Sequence, residues 1–479
     1  MRSAITRRQW LGRATAAAGA CAVGRLTILA GEAPSKKLRT AVIGCGGRGR
    51  SHVNEAVRER LVALCDVDDK NLAATLKFAT DKIQGPQTKG EKAKSVKPPD
   101  IKTYTDYRKM FDEVHKDIDA VFIATPNHHH ALPAMLAMKL GKGVYLEKPL
   151  CHSVYEARLL ADTALKCKVP TQMGNQGHCG EGYRRLCEYI WAGAIGTVTE
   201  AHCWTDRSNG GFGGRPETKP VPPGLHWDEW IGPAPFRDFH DHLHPHGWHC
   251  WWDFGNGSLG NSAPHSMDGP FWALKLKWPT AVEVEQMVGG SDEKFPVTTR
   301  IRYEFPARGD LPPFKLFWWD GRKPEADKAV MDRMDVVASK KDAFRPAIVE
   351  ELEAKYKRDF TGNGTFYIGD KGIMYTGWYG DGVRIIPEEA HKAFPAPPKT
   401  LPRVKDSFTD FIEACKSGGP TATPFSYGAD LTELILLGCL AIKAGVGKKV
   451  EWDGANAKCP NLPELDRIIH RPYRKGWEV

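Results

Sequence analysis

Near the start of the chain, Gly44-Cys45-Gly46-Gly47-Arg48-Gly49 places glycines where a backbone must bend sharply and let a ligand come close. The run follows Leu38, Ala41, Val42 and Ile43, which read as a buried parallel strand, and precedes a helix-like segment over 51–60. A helix starting on such a turn aims free backbone N–H groups at its N-terminal end, which suits a pyrophosphate. A second strand over 61–65 ends on Asp66, about 20 residues past the glycines. That carboxylate can accept from a ribose 2′-hydroxyl and repels a 2′-phosphate, so the pattern expects NAD(H). Arg48 and Arg50 leave NADP(H) as the second option, and a structural glycine turn is the alternative to any cofactor.

These groups act only if rigid elements hold them. Up to about residue 170, helix-like and strand-like segments alternate: helix 71–80, a run at 101–104, helix 107–113, a buried strand 119–124 ending at Thr125-Pro126, helix 130–140, and a strand 144–146 ending at Glu147-Lys148-Pro149. The alternation predicts an α/β fold, a Rossmann doubly wound parallel sheet whose ligands bind beyond the carboxyl ends of the strands, where Gly44, Thr125 and Lys148 lie. Past 170 the texture changes to strand-like runs at 282–288, 298–305, 314–319 and 364–368, separated by long loops and few helices. They predict a C-terminal α+β domain with a largely antiparallel open sheet. Helical patterns at 408–416 and 431–444 have apolar faces to bury at the domain junction. The expected division is a leader over 1–33, a dinucleotide domain over 36–165 and a substrate domain over 166–479.

With 479 residues, 41% hydrophobic and 26% charged, the composition is that of a soluble globular protein of two or three domains. The net charge of +9 is dispersed: part sits in the leader, part on Lys89, Lys92, Lys94 and Lys97 in a loop, and no helix carries a basic stripe. A nucleic-acid partner is therefore not expected. No stable membrane span is expected either, because Arg13 and Arg25 interrupt the first apolar run and Glu433 and Lys443 interrupt the run at 431–446. In the leader, Arg7 and Arg8 precede a weakly apolar Ala/Gly stretch with small residues at Gly31 and Ala33. This looks like a twin-arginine signal, making the twin-arginine export machinery a partner and the periplasm or exterior the destination. The twelve cysteines form no CxxC pair and read as buried small residues.

Glu147-Lys148-Pro149, with Ala124-Thr125-Pro126-Asn127-His128-His129-His130, resembles the Gfo/Idh/MocA oxidoreductases. The resemblance extends through Trp251-Trp252-Asp253-Phe254-Gly255, Gly369-Asp370-Lys371-Gly372 and Tyr473-Arg474-Lys475-Gly476-Trp477-Glu478, and is strongest to the twin-arginine-exported branch with the longer bacterial C-terminal domain. It implies that Thr125, Pro126, Asn127, His130, Glu147 and Lys148 line the cofactor site with Gly44, Gly46, Gly47, Arg48, Gly49 and Asp66. It also implies that Lys148 contacts the reacting hydroxyl, that Pro149 shapes the turn beside the nicotinamide, and that a second-domain histidine, matched by His265, is the general base. The assignment is chemically coherent. Removing hydride from a secondary alcohol requires loss of the hydroxyl proton to a base such as histidine, and an ammonium steadies the developing alkoxide. The family pattern has an aspartate four residues before that histidine, whereas this chain has Asn261, which can bond a sugar hydroxyl but supplies no charge. Asp268 is expected to compensate in part.

On the substrate side, Gln176 and His178 follow the strand-like run 169–173, Asp206 and Arg207 offer polar groups, and indoles such as Trp252 offer flat faces to a sugar ring. The histidines at 240–249 read as a loop over the site, with no metal expected. The expected function is NAD(H)-dependent oxidation of a secondary hydroxyl on a sugar, cyclitol or glycoside by a homo-oligomer. Because an exported protein meets no recycled NAD pool, the cofactor is expected to stay bound and be regenerated in place. The alternatives are a redox-neutral glycosidase or epimerase working through a transient keto sugar, and a catalytically idle sugar-binding protein on the same fold.

Overall fold

The computed structural model describes residues 37–85, 100–326, 331, 333, 334 and 336–478. The leader with Arg7 and Arg8 and the lysine-rich stretch at 89–97 lie outside the described residues.

Six strands, β1 (Arg39–Ile43), β2 (Arg60–Cys65), β3 (Lys102–Tyr104), β4 (Ala120–Ile123), β5 (Gly143–Glu147) and β6 (Thr171–Gly174), form one parallel sheet in the order β3-β2-β1-β4-β5-β6. Ala41, Val42, Val121 and Phe122 on the central strands have no exposed surface, because helices cover both faces and a strand buried on both sides must be apolar throughout. The chain order reverses between β1 and β4, so the loops after these strands part and leave a crevice at their carboxyl ends. Helix Asp69–Gln84 starts at Asp68, whose carboxylate accepts from the amides of Lys70 and Asn71, and helix Val154–Cys167 starts on a Ser153/Glu156 capping box. One expected boundary is corrected. Because β6 pairs with β5, the first sheet continues to Gly174, and a division at residue 165 cuts helix Val154–Cys167.

The second sheet contains β7 (Val198–Thr205), β9 (Ala281–Gly289), β10 (Pro296–Phe305), β11 (Phe314–Gly321), β13 (Gly364–Gly369), β14 (Gly372–Thr376), β15 (Arg384–Ile386) and β16 (Lys449–Glu451). Their order is β15-β14-β13-β7-β11-β10-β9-β16, antiparallel except for the β7–β11 pair. A small ribbon of β8 (Arg207–Ser208) and β12 (Val336–Val337) lies apart from it. The expectation of few helices in this domain is corrected by Glu181–Trp191, Gly257–Ser266 and Ala347–Tyr356. Gly257–Ser266 is rich in Gly and Ser and contains Pro264, so intrinsic propensity argues against it; nearly complete burial imposes the helix.

The two C-terminal helices fasten the domains. Ser407–Ser417 places Phe411 edge-on to Phe122, while Phe408 stacks on Tyr145, so it covers a face of the first sheet. Phe425–Ala444 is long and apolar enough to cross a membrane, but 83% of its apolar window is buried. It packs against Val154–Cys167 and Gly257–Ser266, and Glu433 meets Arg158 at 2.6 Å. Of the described cysteines, all but Cys167 are buried.

Candidate active site

A cleft of about 650 Å³ opens at the carboxyl ends of the first sheet, between it and the second domain. Gly44, with φ +79°, lies so close to β4 that a side chain there would meet the Ala124 carbonyl at 2.7 Å, and a side chain on Gly49 would run into the Gly44 carbonyl. Both glycines are therefore required by close backbone approach, and the turn they make is the shape that admits a pyrophosphate. Gly49 itself is a packing glycine just off the cleft lining. Asp66 lines the cleft as expected, and its Oδ2 accepts from the amides of Cys45 at 2.6 Å and Gly46 at 3.2 Å. It thus organises the glycine loop while retaining lone pairs for a ribose. Arg48 turns to Glu147, and Arg50 packs over Phe78 off the cleft lining, so neither is presented to a 2′-phosphate at Asp66.

Thr125, Pro126, Asn127 and His130 line the cleft beside the loop. His130 spans the Pro149 carbonyl at 2.8 Å and the Thr125 carbonyl at 2.7 Å, tying the two strand-end turns together. At the end of β5, Glu147 Oε1 receives Arg48 Nε and buried His52 Nε2, each at 2.8 Å. Burial opposes this carboxylate's charge, but the bond from His52 and the Arg48 cation more than reverse the effect and hold it well below the ordinary carboxylate range. Gln176 also lines the cleft, 3.5 Å from the same oxygen.

Lys148 Nζ donates to the Asn261 carbonyl at 2.6 Å and to Asn261 Oδ1 at 3.2 Å, while Asn261 Nδ2 donates to Asn209 Oδ1 at 2.9 Å. Asn261 thus orients the lysine rather than the histidine. Burial, reinforced by the cations of Arg48 and Arg207, pulls the Lys148 ammonium down to about 8 against the opposing pull of Glu147. His265 lies on the same cleft wall, with Nδ1 3.1 Å from Asn175 Oδ1. Burial, then the Lys148 charge, depress its pKa well below the ordinary value, so it is a neutral imidazole at neutral pH.

Several expected residues are elsewhere. His178 is stacked on Trp272 at 4.0 Å and bonded to Asp268 at 3.0 Å behind the cleft, off its lining. Asp268 is occupied by His178 and Tyr427, and the expectation that it supports His265 is corrected: buried Asn175 has that position. Trp252 lies against Phe295 at 3.6 Å with its indole N–H on the Ser291 and Lys294 carbonyls, outside the cleft. Asp206 accepts from Asn363 and is also off the lining. The indoles that do line the cleft are Trp230, Trp248, Trp378 and Trp477. Asn175 and Trp378 were not identifiable from spacing, although the turn at 174–178 marked the neighbourhood of Asn175.

The histidine-rich stretch forms part of the cleft wall, as expected of a loop over the site, through His244, Pro245, His246, Trp248 and His249. It is tied to the first domain: His244 Nε2 donates to Asp68 at 3.0 Å, His226 Nε2 to Asp69 at 3.0 Å, and the His226 amide to the Val67 carbonyl at 2.9 Å. These contacts strap second-domain segments across the edge where Asp66 lies.

Residues 38–175 match the Gfo/Idh/MocA model described as an oxidoreductase family with an NAD-binding Rossmann fold, and 202–306 match the C-terminal alpha/beta domain of the same family, together about half of the chain. The chain is 30% identical over 177 residues to inositol 2-dehydrogenase of Burkholderia multivorans, covering 35% of this chain and 45% of that protein. It is 26% identical over 216 residues to a glycosyl hydrolase family 109 protein of Shewanella pealeana, covering 40% and 44%. The chain thus spans just under half the length of these curated relatives. The WlbA dehydrogenase of Bordetella pertussis, solved with NADH and UDP-GlcNAcA, superposes with a TM-score of 0.57 at 12% identity, over 88% of this chain and 99% of that one, a likeness of fold.

Proposed function

The chain belongs to the Gfo/Idh/MocA oxidoreductase family, and from that premise we propose that it interconverts a secondary alcohol and a ketone on a sugar, cyclitol or glycoside. The observation that carries this reading is the convergence of Lys148 and His265 on one wall of the cleft, beside a glycine loop shaped for a dinucleotide. The glycine loop and Asp66 would hold the pyrophosphate and ribose of NAD, which when bound would supply the hydride acceptor. Lys148 donates to the substrate hydroxyl oxygen and balances the growing alkoxide charge, while His265 takes the proton. Gln176 and Asn261 offer further polar contacts to substrate hydroxyls, and Trp378 an apolar face to the ring.

Arg7 and Arg8 support export of the folded, cofactor-loaded protein by the twin-arginine route to the periplasm. The strap through His226 and His244 favours a cofactor that stays bound. Under those two conditions the hydride has to return to a sugar, and similarity to a glycosyl hydrolase family 109 protein favours a redox-neutral elimination or epimerisation as the second reading. A homo-oligomer remains part of the reading and is tested by light scattering.

The deciding experiment releases nicotinamide cofactor from purified protein with acid, then follows the reduced-cofactor absorbance of intact protein against a panel of sugars, inositols and glycosides. A response to any of them supports the oxidoreductase. Bound cofactor with no response to any supports the idle sugar-binding protein.

A further inference from the structure

The two ends of the cleft carry opposite charge. Past β2 and β3 the described lining presents Asp66, Asp106 and Glu229; beside β5 it presents Arg48, Lys148 and Arg207. Among the described lining residues the one carboxylate at the second end is Glu147, and it already holds Arg48 and His52. The groups bonded to Lys148, the Asn261 amide and carbonyl, carry no counter-charge. The nearby imidazoles of His249 and His265 are driven neutral, first by burial. Lys148 and Arg207 are therefore left without a matching anion among the described cleft residues.

Arg207 is built to meet one. Its amide donates to Thr205 Oγ1 at 3.2 Å, its strand pairs with β12, and its guanidinium carbon lies 4.9 Å from the Trp378 ring centroid. Its Nε is buried with no hydrogen-bond partner among the described residues, although the neighbouring carboxylate of Asp206 is turned to Asn363. A buried guanidinium N–H without an acceptor is costly, and a planar guanidinium held over an indole presents two parallel donors, the geometry of a carboxylate.

Resting on the alcohol-oxidation reading above, we propose that the substrate is an anionic sugar, a uronic acid, whose carboxylate is bound by Arg207 while its reacting hydroxyl lies between Lys148 and His265. The carboxylate is unchanged in the reaction. The carbinol C–H electron pair leaves as hydride to NAD+, the hydroxyl proton goes to His265, and the C=O bond forms between the same carbon and oxygen. A neutral hexose in this pose leaves both cations unbalanced in a site partly closed to water, so discrimination arises from the penalty on the neutral sugar as well as the bond to the acid.

The test follows single-turnover reduction of the bound cofactor in the purified full-length protein, taking the limiting rate as kcat and the half-saturating sugar concentration as KM, for D-glucuronate against D-glucose and D-galacturonate against D-galactose. The expected result is a kcat/KM at least about tenfold higher for each acid than for its neutral partner. Arg207→Gln collapses that ratio, chiefly through KM for the acid, and Arg207→Lys restores part of it. Retained NAD(H) in the variants reports that they fold, and the wild-type ratio decides the matter without them. Reduction by the neutral sugars equal to or above that by the acids overturns the inference and leaves the oxidoreductase reading standing. No reduction by any of the four sugars overturns the inference, and the reading falls with it only if the inositols and glycosides are silent too.

Discussion

His265 Nδ1 lies 3.1 Å from Asn175 Oδ1, and Asn175 Nδ2 donates to the Pro264 carbonyl at 2.9 Å. The second bond sets which end of the Asn175 amide faces the imidazole, so His265 must donate from Nδ1 and keep Nε2 as the proton acceptor. A neutral amide thus selects the basic tautomer without adding charge, in a place where three cations already oppose protonation.

His265→Ala is expected to lower turnover by roughly 100-fold or more while bound NAD(H) is retained, because the proposed base would meet substrate whereas the glycine loop would hold the cofactor. Asn175→Asp should stabilise the imidazolium and move the acidic limb of the pH–rate profile upward. A profile that does not move in the variant removes Asn175 from its positioning role.

Lys148 titrates at about 8 in the folded protein, below its ordinary 10.5, chiefly through burial. The unfolded chain therefore binds more protons between those two values, so this residue's contribution to stability rises with pH across that window and its penalty is complete below about 8. If the ammonium is the catalytic form, activity falls above about pH 8. Asn261→Asp sets a carboxylate against Nζ and should shift that alkaline limb upward, which stopped-flow rates across pH 6 to 10 would reveal.

Asp66→Ser is expected to weaken NAD(H) binding and narrow the preference over NADP(H), since it removes both the ribose acceptor and the anchor of the Cys45 and Gly46 amides. Titration of the two cofactors onto stripped protein measures this. Equal affinities to wild type for both would take Asp66 out of the site.

His244→Ala removes a hydrogen bond to the Asp68 carboxylate from the strap over the cofactor edge. A bond to a charged group worth about 1.5 kcal/mol corresponds to a roughly tenfold faster escape of bound NADH, read from fluorescence after dilution into excess competitor.

Replacing Arg7 and Arg8 with lysine should leave folded, cofactor-loaded protein in the cytoplasm. Fractionation of expressing cells checks it, and continued export of the variant would mean that the leader is not read as a twin-arginine signal.

What the sequence alone determined were features governed by local sterics and by a single element's surroundings. Gly44 has to be glycine because its Cβ would strike the backbone of β4, and Val42 and Val121 are apolar because central parallel strands face no water; both are visible as composition along a short stretch. Lys148 and Asn261 were likewise placed at the site by motif, and they face each other there. The tertiary structure alone decided which buried polar groups pair. His178 and His265 are both buried histidines, yet the fold gives Asp268 to the first and Asn175 to the second, each across 90 residues of chain. Trp252 and Trp378 are equally aromatic, yet packing turns one against Phe295 and the other into the cleft beneath Arg207. Sequence periodicity shows which side of an element is buried. It carries no information on which distant donor meets which acceptor, because that choice is made when helices and sheets close over one another and each buried polar atom must find a partner.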